Sequence, residues 1–166
     1  MYVIFSDKSL SKIEKDRIWV ILILSFFVIF FWGAFEQAGN SLSVFAKDQT
    51  ERRISWLNFT VPPSWFQSLN SAFVVLFAPM FAAIWIFLGK RKAEPNSPTK
   101  MALGLFLLAV GYLVIAVGVD GLPADKKASM LLLTSMYALH TWGELCLSPI
   151  GLSLVNKLSP SVLARC

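Results

Sequence analysis

Residues 18–35, IWVILILSFFVIFFWGAF, decide the fold, because these 18 consecutive residues carry no charge. A run of this length is enough for an α-helix to cross the hydrocarbon core of a bilayer. The whole composition agrees, with 56% hydrophobic and 15% charged residues. Three further apolar runs follow, and the sequence therefore predicts an all-α transmembrane fold with four membrane-spanning helices, at about 18–46, 65–88, 101–119 and 128–156.

A cleaved signal peptide is the alternative interpretation of the first run. The apolar stretch is too long for the hydrophobic region of such a peptide, and no small-residue cleavage site follows it. Small and apolar residues instead continue beyond Glu36 as far as Ala46, before charges return at Lys47. We therefore interpret residues 1–166 as one membrane-embedded unit.

The basic residues predict how the spans are oriented. Ten of the 15 Lys and Arg residues lie before span one, between spans two and three or after span four, and five lie in the other two connections. Because cytoplasmic loops carry an excess of Lys and Arg, we expect both termini in the cytoplasm and outward loops at about 47–64 and 120–127. The net charge of +5 then reflects topology. No basic surface interleaved with aromatic residues is visible, so a nucleic-acid partner is not expected.

Glu36 and Glu144 are the only acidic residues inside the predicted spans. A charged carboxylate at the centre of a bilayer costs about 3 kcal/mol or more unless it is paired, hydrated or protonated, so such an acid points to function. Two of them predict proton-linked transport. Other polar or small residues share a helical face with each acid, namely Gly33, Asn40 and Ser43 on the first span and Tyr137, His140, Ser148 and Gly151 on the fourth.

A third polar cluster, formed by Gln67, Asn70 and Ser71, lies near the outer end of the second span. Polar side chains in membranes also join helices by interhelical hydrogen bonds, and this simpler role suits Asn40, Ser43 and Gln67. It suits the two glutamates poorly, because an amide would join helices without the cost of ionisation.

Three further residues inside the spans have two interpretations each. His140 lies one turn from Glu144 and either relays protons or packs as a neutral histidine. Pro79 and Pro149 each remove a helix hydrogen bond, which gives either gating bends or ordinary transmembrane prolines. No phosphate-binding glycine loop, metal-ligand spacing or catalytic Ser/His/Asp pattern is visible. Neither an enzyme nor a metal or organic cofactor is therefore expected, and protons would be the coupling ion.

Three segments of the sequence carry a family resemblance: FFWGAFEQAGNSL at 30–42, WFQSLN at 65–70 and GELCLSPIGLS at 143–153. Together they closely resemble helices seven, eight and ten of the bacterial proton-dependent oligopeptide transporter family, which belongs to the major facilitator superfamily. The apolar segment 100–119 matches the helix between them. Three motifs in the right order are much more specific than any one of them.

The resemblance implies a partial C-terminal six-helix bundle of a major facilitator fold, with substrate and proton sites at the interface between two bundles. It implies part of a symporter that imports di- and tripeptides with protons across the bacterial cytoplasmic membrane. The resemblance covers nearly the whole chain but about a third of such a transporter. The partners would be the peptides, the lipid bilayer and the missing N-terminal six-helix bundle, and we expect the fragment alone to be inactive.

Carried over by position, Glu36 matches a carboxylate that takes part in proton coupling and in salt bridges between the bundles. Asn70 and Glu144 match residues that bind the amino terminus of the peptide, and Ser148 lies beside that site. Trp142 replaces an aliphatic residue, and it would either narrow the pocket or face lipid. The residues expected to line or gate the pathway are Gln37, Asn40, Gln67, Pro79, His140, Trp142 and Pro149.

Two other functions remain open on the sequence. A small four-helix multidrug exporter that acts as a dimer also has four spans and an intramembrane acid, although two acids on different helices and the long 47–64 connection count against it. The other alternative is a truncated product or an interaction subunit that transports nothing. The final residues, 161–166, do not resemble the family and suggest truncation or a change of reading frame.

Overall fold

The computed structural model describes residues 11–123 and 125–158, with side chains described as far as Leu147. This part of the chain is built mainly from five α-helices: α1 (Lys12–Phe35), α2 (Ser41–Asp48), α3 (Pro63–Lys90), α4 (Ser97–Val119) and α5 (Met130–Leu158). The segment Lys12–Asp48, α3 and α4 are long and apolar enough to cross a membrane. With 29 residues, α5 is the longest helix. The architecture is the helical membrane fold that the apolar runs predict.

Local sequence signals explain where the helices begin. Ser11 caps α1, and Glu14 completes a capping box by accepting from the backbone N–H of Ser11 at 2.8 Å. The side chain of Asn96 caps α4 by accepting from the N–H of Thr99 at 3.0 Å. A proline, Pro63, opens α3, where its missing N–H costs no helical hydrogen bond.

The first span is interrupted, whereas the sequence predicts one helix from about 18 to 46. After α1 ends at Phe35, Glu36–Ala38 form a 3₁₀ turn, and Gly39 and Asn40 form the turn that leads into α2. Asn40 has φ −111° and ψ −93°, outside the helical region. Glycine and asparagine both have weak helix propensity, which favours a break of the helix at this pair.

Helix α5 lies at the centre of the packing. Two clusters of buried apolar side chains form the core of the described residues, and α5 contributes to both. One cluster joins it to α2 and α3, and the other joins it to α1 and α4. The buried members are Leu42, Ala46, Phe66, Leu133, Met136 and Tyr137 in the first cluster and Phe31, Met101, Leu108 and Leu147 in the second.

Glycines let α4 and α5 approach closely. Gly104 and Gly143 face each other, and a Cβ atom added to either would lie 2.8 Å or 2.7 Å from the carbonyl oxygen of the other. Farther along α4, Gly111 leaves room for the His140 ring and Gly118 for Leu132. The three α4 glycines are seven residues apart and therefore lie on one side of the helix. Small residues of this kind allow close helix contacts in membranes.

The connection between α2 and α3 is ordered by short strands that the sequence did not predict. The strand β1 (Thr50–Glu51) pairs in parallel with β4 (Ala128–Ser129), while β2 (Arg53–Ile54) and β3 (Phe59–Thr60) form an antiparallel pair. The guanidinium of Arg52 donates to the carbonyl oxygen of Val61 at 2.7 Å. These strands are two residues long, too short for an alternating apolar pattern to reveal.

At the opposite end of α3, a compact turn leads into α4. Lys100 is buried there, forms an ion pair with Glu94 and lies over the ring of Trp85, 4.4 Å from its centroid. A buried lysine needs such partners, because its charge is costly to remove from water. These contacts join the end of α3 to the start of α4.

Candidate functional site

A cavity of about 320 Å³ lies beside the break in the first span. It brings together four of the residues predicted to couple protons, bind substrate or line the pathway: Glu36, Gln67, Asn70 and His140. The other lining residues are Phe35, Ala38, Gly39, Ser71 and Tyr137. Polar side chains from the break, α3 and α5 thus converge on one space.

Asn70 and Glu144 form a direct contact between α3 and α5. The side-chain amide of Asn70 donates to Oε2 of Glu144 at 3.1 Å, across 74 residues of sequence, and both side chains are half-buried. The contact uses one donor of the amide and leaves the carbonyl oxygen of Asn70 and Oε1 of Glu144 available as acceptors. A carboxylate and an amide oxygen placed side by side are suited to bind a cationic group with several N–H donors.

Glu36 occupies the first position of the 3₁₀ turn. Its side chain is exposed, and among the described residues its carboxylate makes no hydrogen bond or ion pair. Its backbone N–H points back to the carbonyl oxygens of Trp32 and Ala34 at the end of α1. The carboxylate therefore lines the cavity without a partner among the described residues.

The break exposes backbone carbonyls that would otherwise lie inside a continuous helix. Tyr112 of α4 donates to the carbonyl oxygen of Ala34 at 2.6 Å. The hydroxyl of Ser43 donates to the carbonyl oxygen of Ala38 at 3.1 Å and itself accepts from the amide of Gln67. Such side-chain partners are what allow an interrupted helix to persist in a membrane.

The other predicted lining and gating residues have varied positions. Gln37 contacts its own segment, since its amide lies 3.5 Å from the carbonyl oxygen of Gly33 and its Oε1 accepts from Ser41 at 2.9 Å. Asn40 is exposed in the turn, and Pro79 is exposed within the uninterrupted helix α3. None of these three predicted residues lines the cavity. The side chains of Ser148 and Pro149 lie outside the described residues.

His140 lines the cavity but is almost fully enclosed, with 2% of its surface exposed. Its ring centroid lies 4.8 Å from that of Tyr112 and 6.2 Å from that of Phe35. Trp142 packs between α5 and α3, with its ring 5.5 Å from Phe77 in an edge-on arrangement. Trp142 therefore contacts α3, and its predicted role, narrowing the pocket or facing lipid, stays a prediction.

Sequence reasoning missed the contribution of Tyr112, which lies in the third apolar run. A tyrosine buried in an apolar helix generally needs a partner for its hydroxyl, and this was the available signal. The Gly39–Asn40 pair, which begins three residues after Glu36, was the corresponding signal for the break. Among the residues that the structure describes, no group of three or more His, Cys, Asp or Glu side chains is placed to hold a metal ion.

Two bacterial transporters are similar in sequence to this chain. Peptide transporter YePEPT of Yersinia enterocolitica subsp. palearctica is 38% identical over 159 residues, which cover 95% of this chain and 31% of YePEPT. A di-/tripeptide transporter of Lactococcus lactis subsp. cremoris is 35% identical over 162 residues, which cover 95% of this chain and 32% of that protein. The chain thus spans about a third of the length of these relatives.

Solved structures share the fold. The crystal structure of peptide transporter POT in complex with sulfate matches with a TM-score of 0.89 at 32% identity, covering 99% of this chain and 32% of that one. A POT family transporter in complex with 5-aminolevulinic acid matches with a TM-score of 0.79 at 29% identity, covering 96% of this chain and 33% of that one. The sequence model of the POT family matches residues 2–165. As its three motifs predict, the chain belongs to the POT family.

Proposed function

We propose that this chain forms part of the wall of a pathway that imports di- and tripeptides together with protons across the bacterial cytoplasmic membrane. The observation that carries the proposal is the Asn70–Glu144 contact beside the cavity that Glu36 lines. It supports the proposal because the amide of Asn70 holds the carboxylate of Glu144 in place, whereas the carboxylate of Glu36 has no partner among the described residues. The relatives, which include a peptide transporter and a di-/tripeptide transporter, point to the same substrates.

In this proposal, Glu144 binds the ammonium group at the amino terminus of the peptide. The carboxylate supplies the opposite charge, and the carbonyl oxygen of Asn70 supplies a further acceptor. The existing hydrogen bond between the two side chains holds the carboxylate in place before the peptide arrives. Such preorganisation reduces the cost of ordering the site on binding.

Glu36 has the second role, that of the proton-coupling group. Its carboxylate has no partner among the described residues, so protonation or pairing with a basic residue of the other bundle would change its energy strongly. A group that exchanges a proton for an ion pair biases the equilibrium between two transporter conformations. Glu36 lies in the break and not inside a regular helix. The break accommodates a change of conformation more easily than a regular helix does.

The pathway requires a second wall. In major facilitator proteins the substrate site lies between two six-helix bundles, and the described helices form one side of the cavity. We propose that a six-helix N-terminal bundle supplies the other side and that both termini of this chain face the cytoplasm. The POT family match argues against the small four-helix exporter, and no contact in the described residues favours a function without transport.

A chimaera tests the proposal directly. The third of YePEPT that matches this chain is replaced by the chain itself, and the purified protein is reconstituted into liposomes with an inward proton gradient and a labelled dipeptide. We expect saturable accumulation that depends on the gradient. Glu144→Gln should weaken peptide binding by about 10-fold or more, because a charge-assisted hydrogen bond is lost.

Glu36→Gln in the chimaera should abolish accumulation driven by the gradient while peptide binding persists. The matched control is Glu14→Gln, which makes the same chemical change at the exposed start of α1 and should have little effect on either measurement. If the chimaera transports peptide and neither the Glu36 nor the Glu144 variant differs from the Glu14 variant, the proposed roles are wrong.

A further inference from the structure

Tyr112 and Glu36 meet at a single carbonyl group. The phenolic hydroxyl of Tyr112 donates to the carbonyl oxygen of Ala34 at 2.6 Å, and the backbone N–H of Glu36 points to the same oxygen. The hydroxyl comes from the middle of α4, 78 residues from its acceptor in the sequence. A hydrogen bond therefore joins helix α4 to Ala34, two residues before Glu36, the proposed proton-coupling residue.

A second tyrosine contact at the break is weaker. The hydroxyl of Tyr137 lies 3.5 Å from the carbonyl oxygen of Ala38, at the limit of a hydrogen bond. That oxygen already accepts from the hydroxyl of Ser43 at 3.1 Å. Loss of the Tyr137 hydroxyl therefore leaves the Ala38 carbonyl with a partner, whereas Ala34 has no second side-chain donor among the described residues.

The position of Tyr112 is itself well defined. Its ring packs against His140, with the centroids 4.8 Å apart, and the His140 ring occupies space that Gly111 leaves open. Tyr112 also packs against both apolar core clusters. A side chain that is packed on several sides moves little, so its hydroxyl also restricts the position of the carbonyl group to which it donates.

Helix α4 contributes no residue to the lining of the cavity. Its effect on the site would therefore act through the break, at the Tyr112–Ala34 hydrogen bond. The titratable groups that line the same cavity as Glu36 are Tyr137 and His140, both on α5. On α3 the lining groups Gln67, Asn70 and Ser71 are neutral, and Asn70 holds Glu144.

We propose that Tyr112 is a positioning residue: its hydroxyl fixes the end of α1 and thereby holds the carboxylate of Glu36 at the cavity. The inference rests on the proposed proton-coupling role of Glu36, and it adds a residue on a helix that does not touch the site. Tyr112→Phe removes the hydroxyl and keeps the ring. Tyr137→Phe is the matched control, because it removes the weaker contact to the same break.

Backbone hydrogen exchange in the purified chain, reconstituted in lipid nanodiscs, measures the positioning directly. Tyr112→Phe should speed exchange of the amides at 36–38 by about 5-fold, while Tyr137→Phe should change it by less than about 2-fold. Unchanged exchange at 36–38 in Tyr112→Phe would overturn the inference. An equal increase throughout α4 and α5 would also overturn it, because it would show a general loss of packing.

The second measurement uses the chimaera described above. Tyr112→Phe should shift the pH dependence of proton-driven accumulation by at least half a pH unit, roughly a 3-fold change in proton affinity, and leave peptide binding within about 2-fold. An unchanged pH profile would remove the link to Glu36. A parent chimaera that does not transport would count against the proposed function alone, since the exchange measurement does not depend on transport.

Discussion

The amide of Asn70 and the carboxylate of Glu144 are joined by a hydrogen bond of 3.1 Å between α3 and α5. Two residues that are distant in sequence and belong to different spans thus act as one polar unit. A carboxylate away from water needs such a partner, because an unpaired ionised group is costly to bury. The same hydrogen bond joins the two packed helices and includes Asn70, which lines the cavity.

The Asn70–Glu144 unit predicts energetic coupling. In a double-mutant cycle of Asn70→Ala and Glu144→Ala, the effects on thermal stability in detergent should be non-additive by about 1–2 kcal/mol, since a hydrogen bond to a charged group is removed. Asn70→Ala combined with Glu14→Gln serves as the control, and these two changes should be additive. Additive effects in both cycles would show that the contact contributes no coupling energy.

The close approach of α4 and α5 predicts a strong effect of one methyl group. Gly104→Ala places a Cβ atom 2.8 Å from the carbonyl oxygen of Gly143, so the helices must move apart. We expect the melting temperature of the purified chain to fall by about 5 °C. Gly33→Ala is the control, because nothing lies within 4 Å of its added Cβ atom.

Gly33→Ala should leave the melting temperature unchanged or raise it slightly, since alanine favours a helix more than glycine does. Fluorescence-detected size-exclusion chromatography after heating measures both variants. Equal melting temperatures for the two alanine variants would contradict the close packing at Gly104.

The distribution of basic residues predicts which connections face outward. Thr50 is a poor reporter because it is buried and paired with Ala128, whereas Trp56 is 85% exposed and Ala93 is also exposed. In a background without cysteine, made by replacing Cys146 and Cys166 with serine, we expect an impermeant maleimide to label Trp56→Cys in intact cells. Ala93→Cys should react only after lysis, and the reverse pattern would overturn the topology.

The chain expressed by itself should insert into membranes without transporting peptide. A pathway between two bundles needs both walls, and Glu36 would lack the basic residues expected opposite it. Liposomes that contain only this chain, with an inward proton gradient and a labelled dipeptide, provide the measurement. Saturable accumulation that disappears in Glu144→Ala would show that these helices suffice.

The long apolar runs were sufficient to predict a helical membrane protein, and the resemblance of the segments 30–42, 65–70 and 143–153 was sufficient to predict its family. Each of these signals is local, because a run of apolar residues or a misplaced charge is visible without any neighbour. The contact of Asn70 with Glu144 is consistent with the common role that the family resemblance gave them. Their shared function remains a prediction.

The break in the first span and the Tyr112 hydrogen bond were not predicted, because the sequence carries only a weak local signal for each. A glycine followed by an asparagine inside a span is often tolerated in a helix, and only partners for the freed carbonyls decide whether the helix breaks. Those partners come from α2, α4 and α5, so the break depends on tertiary structure. The neighbours of Trp142 were not predictable for the same reason, since Phe77 and Phe81 belong to another helix.

The parallel pairing of β1 with β4 has a mechanical consequence. Thr50 is registered with Ala128, Glu51 with Ser129, and the N–H of Ala128 donates to the carbonyl oxygen of Gln49 at 2.7 Å. These hydrogen bonds join the end of α2 to the start of α5. We therefore expect α2 and α5 to tilt together. A rotation of α1 relative to α2 and α5 would then change the backbone torsions of Gly39 and Asn40, which connect α1 to α2.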